Sequence, residues 1–192
     1  MKIGIFSGSF NPIHIGHAML ANYISQFADL DEVWLSVSPQ NPLKESRAED
    51  YDRHRVRMAE IVADSMPKVQ LTTIEFGLPL PSYSINTLRA LQTQYPEHEF
   101  CLIIGSDNWL CFDCWKDYKS ILDEFGVLVY PRPGYEIKEM THINAKLIDA
   151  PTIEISSTFI RQSIARGYNM NFFLPERVYQ YIEAHNLYRK NG

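Results

Sequence analysis

The chain has 192 residues, 45% of them hydrophobic and 21% charged. These are the proportions of a soluble globular protein, and they exclude disorder, coiled coil and collagen. Such a length buries roughly 70% of the extended-chain surface as one ordinary domain. A single domain over 1–192 is therefore expected, with C-terminal helices over about 156–185 packed on it.

The net charge is −5, from 23 acidic and 18 basic residues. That balance argues against a broad nucleic-acid surface but leaves room for a small, locally positive pocket. The longest clean apolar runs, 101–104 and 127–130, are far short of the ~18–20 residues that span a bilayer. The opening MKIGIFSGSF has too brief an apolar stretch for a secretory signal. Three cysteines, Cys101, Cys111 and Cys114, are too few and too odd in number for a disulfide framework. The expected compartment is the reducing cytoplasm, with neither nucleic acid nor membrane as a partner.

Strand-like and helix-like segments alternate along the chain. Residues 2–7 (KIGIFS) read as a buried strand. A helix over 15–27 follows, with Ala18, Met19, Ala21, Tyr23, Ile24 and Phe27 giving it a broad apolar surface. EVWLSV at 32–37 is the second strand. Residues 51–65 are helical, with Val56, Ala59, Val62, Ala63 and Met66 at steps of three and four. A third strand is expected at 69–74 and a helix at 84–94. Strands at 100–104 and 125–130 flank a helix near 115–122, and a sixth strand is expected at 146–149. Two helices, 158–166 and 175–184, close the chain, with Pro175 suited to a first helical turn.

This alternation predicts parallel strands joined by right-handed crossovers, with helices on both faces. The fold class is α/β, a doubly wound, Rossmann-like parallel sheet. Ligands of such sheets bind beyond the carboxyl ends of the strands, where the strand order reverses. With the order 3-2-1-4-5, that point lies between the first and fourth strands. Functional residues should then follow Ser7 and Ile104.

After Ser7 comes Gly8-Ser9-Phe10-Asn11-Pro12-Ile13-His14-Ile15-Gly16-His17. Gly8 permits close backbone approach to a ligand. His14 and His17 lie on one side of a helix start, where free N–H groups and the dipole favour an anion. Gly16 removes a side chain between the rings. Three readings stand: plain cap or surface residues, a zinc pair, or a polyphosphate site. Zinc on a helix usually takes i,i+4 histidines and a third ligand, which are not evident.

After Ile104 comes Gly105-Ser106-Asp107-Asn108. A carboxylate there can accept from ribose hydroxyls, or it can simply cap the next helix. Ser156-Ser157-Thr158 with Arg161 one turn later is a cap, or a second anion site with a forked donor. Lys44 follows the second strand and can reach phosphates. Cys111 and Cys114 have CxxC spacing without a second pair, so core packing is expected of them. Trp115 is a candidate to stack on an aromatic ring, or a core residue.

Together, GSFNPIHIGH, IIGSD and ISSTFIR resemble the nucleotidyltransferases with an HxGH signature, and most closely the bacterial nicotinate-nucleotide adenylyltransferases. The resemblance covers nearly the whole chain. Further segments that match are 39–44, Pro81-Ser82-Tyr83-Ser84, Trp115 and Arg132-Pro133-Gly134-Tyr135. The first loop reads SGSFNP where the family usually has GGTFDP, Ser84 stands for Thr, and Leu43 stands for His.

The resemblance implies the nucleotidyltransferase fold and the joining of nicotinate mononucleotide to ATP, with Mg²⁺. It also implies roles. His14, His17 and Arg161 would be catalytic. Gly8, Ser9, Phe10, Gly105, Asp107, Ser156 and Ser157 would join them in binding ATP. Lys44, Ser84, Cys111 (through nearby backbone amides) and Trp115 would bind the mononucleotide. No metal ligand from the chain is implied. Three alternatives remain: a phosphopantetheine adenylyltransferase, a nicotinamide mononucleotide adenylyltransferase, or a non-catalytic nucleotide sensor. A homo-oligomer is compatible with the sequence.

Overall fold

A computed structural model describes residues 1–39, 48–140 and 142–189. Six parallel strands run β1 (Lys2–Gly8), β2 (Glu32–Val37), β3 (Val69–Thr72), β4 (Glu99–Gly105), β5 (Val127–Tyr130) and β6 (Ala145–Leu147). Their order in the sheet is β3-β2-β1-β4-β5-β6, and every pairing is parallel. The order reverses between β1 and β4, as the alternation predicted.

The helices are α1 (Ile15–Phe27), α2 (Ala48–Ala63), α3 (Ser84–Gln94), α4 (Ser106–Trp109), α5 (Tyr118–Glu124), α6 (Ser157–Ala165) and α7 (Glu176–Ala184). Short 3₁₀ turns cover Ile74–Gly77, Phe112–Cys114 and Asn171–Phe173. The third strand is shorter than its apolar run suggested, because the chain turns into the first of these at Ile74. No helix among the described residues is long and apolar enough to cross a membrane.

Strand residues alternate between two cores, as the period-2 pleat requires. Phe6, Val33, Leu35, Val37 and Ile103 face one core, with α1, α2, α6 and α7 supplying Leu20, Ile24, Met58, Val62, Ile160, Ile164, Val178 and Ile182. Ile3, Ile5, Trp34, Leu102, Ile104, Val127 and Val129 face the other, against Ile85, Leu88 and Leu91 of α3 and Ile121 of α5. Burial on both faces explains why these strands read as near-continuous apolar runs. It also places α1 and α3 on opposite sides of the same carboxyl edge.

Candidate active site

The first loop is built around its aromatic rings. Phe10 adopts φ 44° and is 1% exposed. Its ring folds back over Gly8, where an added Cβ would meet ring atoms at 2.9 Å. Phe10 then meets Phe6 and His17 edge-on, at 5.8 and 5.1 Å between centroids. Any contact of Phe10 with ATP would come through its backbone, since the side chain is enclosed. Its side chain belongs to the core and braces His17.

His14 caps α1 and His17 lies one turn in; their rings stack at 3.7 Å. A Cβ at Gly16 would stand 3.2 Å from the His14 ring, so glycine keeps that face open. The His14 backbone N–H donates to His17 Nδ1 at 3.3 Å. The neutral His17 ring therefore carries its proton on Nε2, as a donor. His14 Nδ1 is buried with no hydrogen-bond partner among the described residues. An unsatisfied buried polar atom is costly, and a ligand that pairs with it would recover that cost.

Burial, then the charge of Arg132, lowers the His14 pKa to about 4. Burial, followed by His14 and Arg132, pushes His17 well below its usual range. Both rings are thus neutral near pH 7. The native state holds fewer protons than the unfolded chain between about pH 4 and 6.5. Stability is full above 6.5 and falls as the pH drops toward 4, by up to about 3 kcal/mol from His14. Urea midpoints of the ligand-free protein at pH 7.5 and 5.0 should show this loss, and His14→Gln should shrink it. Equal pH dependence in both proteins would refute the assignment.

At the tip of β4, Gly105 admits Asp107, whose Oδ1 would lie 2.3 Å from a Cβ on that glycine. Asp107 Oδ1 stands 3.4 Å from Arg132 Nε. The Arg132 N–H donates to the buried Ser106 Oγ at 2.8 Å, joining the ends of β4 and β5. Sequence reasoning gave Arg132 no role of its own. Its place directly after an apolar strand, at the carboxyl edge, was the available signal.

A cleft of about 390 Å³ opens beside the histidine pair and Arg132; Gly8, Ser9, Gly105 and Asp107 do not line it. His14, Gly16, His17, Tyr130, Arg132 and Ser156 are among its walls. The paired imidazoles and the arginine held by Asp107 thus share one mouth, at the switch point. A second cleft, of about 430 Å³, opens at the amino ends of the strands between Lys2, Glu99, Cys101 and Lys146. It carries none of the loops above.

The α6 start is tied to the first loop. Ser157 Oγ donates to the Pro12 carbonyl at 2.9 Å, and Arg161 Nη1 to the Asn11 carbonyl at 2.7 Å. Ser156 Oγ accepts from the Phe159 N–H, a plain N-cap. Ser157 and Arg161 thus hold the first loop, and the Arg161 guanidinium keeps N–H donors beyond these bonds. Tyr188 adds a bond from its hydroxyl to Asn11 Oδ1 at 2.7 Å.

Two buried charges brace the same edge, and both escaped sequence reasoning. Arg55 is 1% exposed and donates to the carbonyls of Ser9 and Ser38 and to Asp52. Its signal was an arginine in phase with the apolar Met58, Ala59 and Val62 of α2. Glu75 is 3% exposed and accepts from the hydroxyls of Ser7, Ser36 and Ser82. Nothing in its sequence neighbourhood marked it.

Ser84, Cys111 and Trp115 do not line the cleft. They lie toward the α3 face. Ser84 opens α3, and the neighbouring Tyr83 ring lies under Lys116 Nζ at 4.5 Å, so the 82–84 and 115–116 segments adjoin. Trp115 is half-buried against Phe112, 5.3 Å between centroids. The Cys111 N–H donates to the Asn108 carbonyl, so that amide is not free for a substrate carboxylate. Core packing of the CxxC pair is overturned: Cys111 and Cys114 are exposed thiols, and Phe112 between them is the buried residue. Lys44, with Leu43, lies outside the described residues.

The sequence profile of the cytidylyltransferase-like family matches residues 5–163. The chain belongs to that family, in its nicotinate-nucleotide adenylyltransferase branch. The probable nicotinate-nucleotide adenylyltransferase of Bacteroides thetaiotaomicron is 47% identical over 186 residues, 96% of this chain and 92% of the relative. That of Bacteroides fragilis is 48% identical over 182 residues, 94% and 90% of the two chains. Among solved structures, the Plasmodium falciparum nicotinic acid mononucleotide adenylyltransferase complexed with APC superposes with a TM-score of 0.79. It covers 97% of this chain and 96% of its own at 22% identity, a likeness of fold.

Proposed function

We propose that this protein joins nicotinate mononucleotide to ATP, giving nicotinate adenine dinucleotide and pyrophosphate. The observation that carries the reading is the cleft at the strand-order reversal, where two neutral imidazoles, a helix start and Arg132 converge. The named relatives support the choice of substrates.

The chemistry needs no protein nucleophile. A phosphate oxygen of the mononucleotide attacks the α-phosphorus of ATP in line, and the bond to the bridging oxygen of the β-phosphate breaks. The protein must align two anions and spread the charge that builds between them. Positioning of this kind is worth ~7–11 kcal/mol. His17 Nε2–H, His14 and Arg132 are the donors nearest such a charge, and phosphate binding favours protonation of both rings. Ser157 and Arg161 act on the reaction through the loop they hold.

Among the described residues, no group of three or more His, Cys, Asp or Glu side chains could hold a metal. We place Mg²⁺ on the ATP phosphates and water, as part of the substrate. Bound there, the ion would neutralise phosphate charge. We place ATP on the α1 side of the carboxyl edge and the mononucleotide on the α3 side, near Ser84 and Trp115. The adjoining 82–84 and 115–116 segments support this. Three free cysteines suit a reducing compartment, the cytoplasm.

Incubation with Mg–ATP and either nicotinate or nicotinamide mononucleotide tests the reading. Pyrophosphate release should be faster with the nicotinate. A protein that binds ATP and releases no pyrophosphate with either is a sensor, and the reading fails.

A further inference from the structure

We infer that Glu75 is a positioning residue that sets the two substrates in line with each other; this rests on the two-sided placement proposed above. The carboxylate is almost fully enclosed, and its three observed partners are all hydroxyls. Oε1 accepts from Ser36 at 2.7 Å and from Ser7 at 3.3 Å; Oε2 accepts from Ser82 at 3.1 Å.

The positions of the partners give the node its meaning. Ser7 and Ser36 are paired residues on adjacent strands, near the carboxyl ends of β1 and β2. By the alternation of the pleat they face α3, with Ile5 and Trp34. Ser7 leads directly into Gly8 and the loop that carries His14 and His17. Ser82 stands two residues before α3 and Ser84, and Tyr83 between them meets Lys116 beside Trp115. One carboxylate therefore couples the root of the ATP loop to the root of the mononucleotide segment.

A buried acid is an expensive way to fill space, whereas three converging hydroxyls match its acceptor geometry. In-line transfer depends on the position of one substrate relative to the other, and a misplacement of about 1 Å can cost ~100-fold in rate. A link between the loops should therefore act on kcat more than on either KM.

The test is steady-state kinetics of pyrophosphate release by wild type, Glu75→Ala, Glu75→Gln, Ser82→Ala and the Glu75→Ala/Ser82→Ala double variant. Thermal melts would confirm that each is folded at the assay temperature. Glu75→Ala should lower kcat at least about tenfold, with both KM values within about threefold. Glu75→Gln should recover most of kcat, since an amide can accept from Ser7 and Ser36 and meet Ser82. Ser82→Ala should also lower kcat, and the double variant should be no worse than Glu75→Ala, because both remove the same link. An unchanged kcat in folded Glu75→Ala, a Gln variant as poor as Ala, or additive losses would each overturn the inference. An inactive wild type would instead overturn the proposed reaction.

Discussion

His17→Ala is expected to lower turnover by at least about 100-fold while the protein stays folded. The ring contributes a donor at a fixed position: His14 N–H occupies Nδ1, Phe10 braces one edge, and the His14 ring stacks on its face. A donor so held needs no reorganisation when charge develops on the transferred phosphate. That preorganisation makes it worth about 3 kcal/mol. Conservative variants separate the donor from the packing. His17→Asn keeps an oxygen near Nδ1 to accept from His14 N–H but has nothing at Nε2, so it should be as slow as alanine. His17→Gln places an amide nitrogen near Nε2 and should recover part of the rate. Circular dichroism and melting curves would show each variant folded. A fully active His17→Ala enzyme would remove the imidazole pair from the mechanism.

The topology and both loops at the switch point followed from the sequence, because each depends on local pattern. Apolar runs of four to seven residues alternating with helical periodicity permit few sheet orders, and the crevice at the point of reversal follows from the order alone. The helix over Ile15–Phe27 came out with both ends right, because Gly16 and the histidines mark its start and the polar Asp29 and Asp31 follow its end. What local pattern could not supply was partnership over long separations. Arg161 looked like a phosphate ligand because arginine at a helix start suits anions. Its hydrogen bond to the Asn11 carbonyl, 150 positions away, was not legible. Glu75 meets Ser36 across 39 positions and Ser7 across 68. Cys111 and Cys114 were expected to be core residues because no second CxxC pair and no redox setting accompany them. The turn that exposes them is set by Phe112, which takes the buried position.

Arg55→Ala is expected to cost about 3–5 kcal/mol of stability. That corresponds to a fall of roughly 10 °C in Tm for a chain of this size. The side chain is 1% exposed, and its partner Asp52 is 16% exposed. Truncation leaves that carboxylate without its partner and strips the donor from the Ser9 and Ser38 carbonyls. It also opens a cavity beside Met58 and Ala59, both wholly buried. Arg55→Lys should recover little, since one ammonium cannot copy a planar fork that reaches two carbonyls and a carboxylate. Urea unfolding with an unchanged slope would isolate the native-state effect. A loss under about 1 kcal/mol would show that the surroundings relax around the gap. The same substitution should slow pyrophosphate release in the fraction that stays folded, because Ser9 sits in the loop that presents His14 and His17. Stability and rate falling together at a residue outside the cleft is the behaviour expected when one buried guanidinium holds both the α2 core and the loop between β1 and α1.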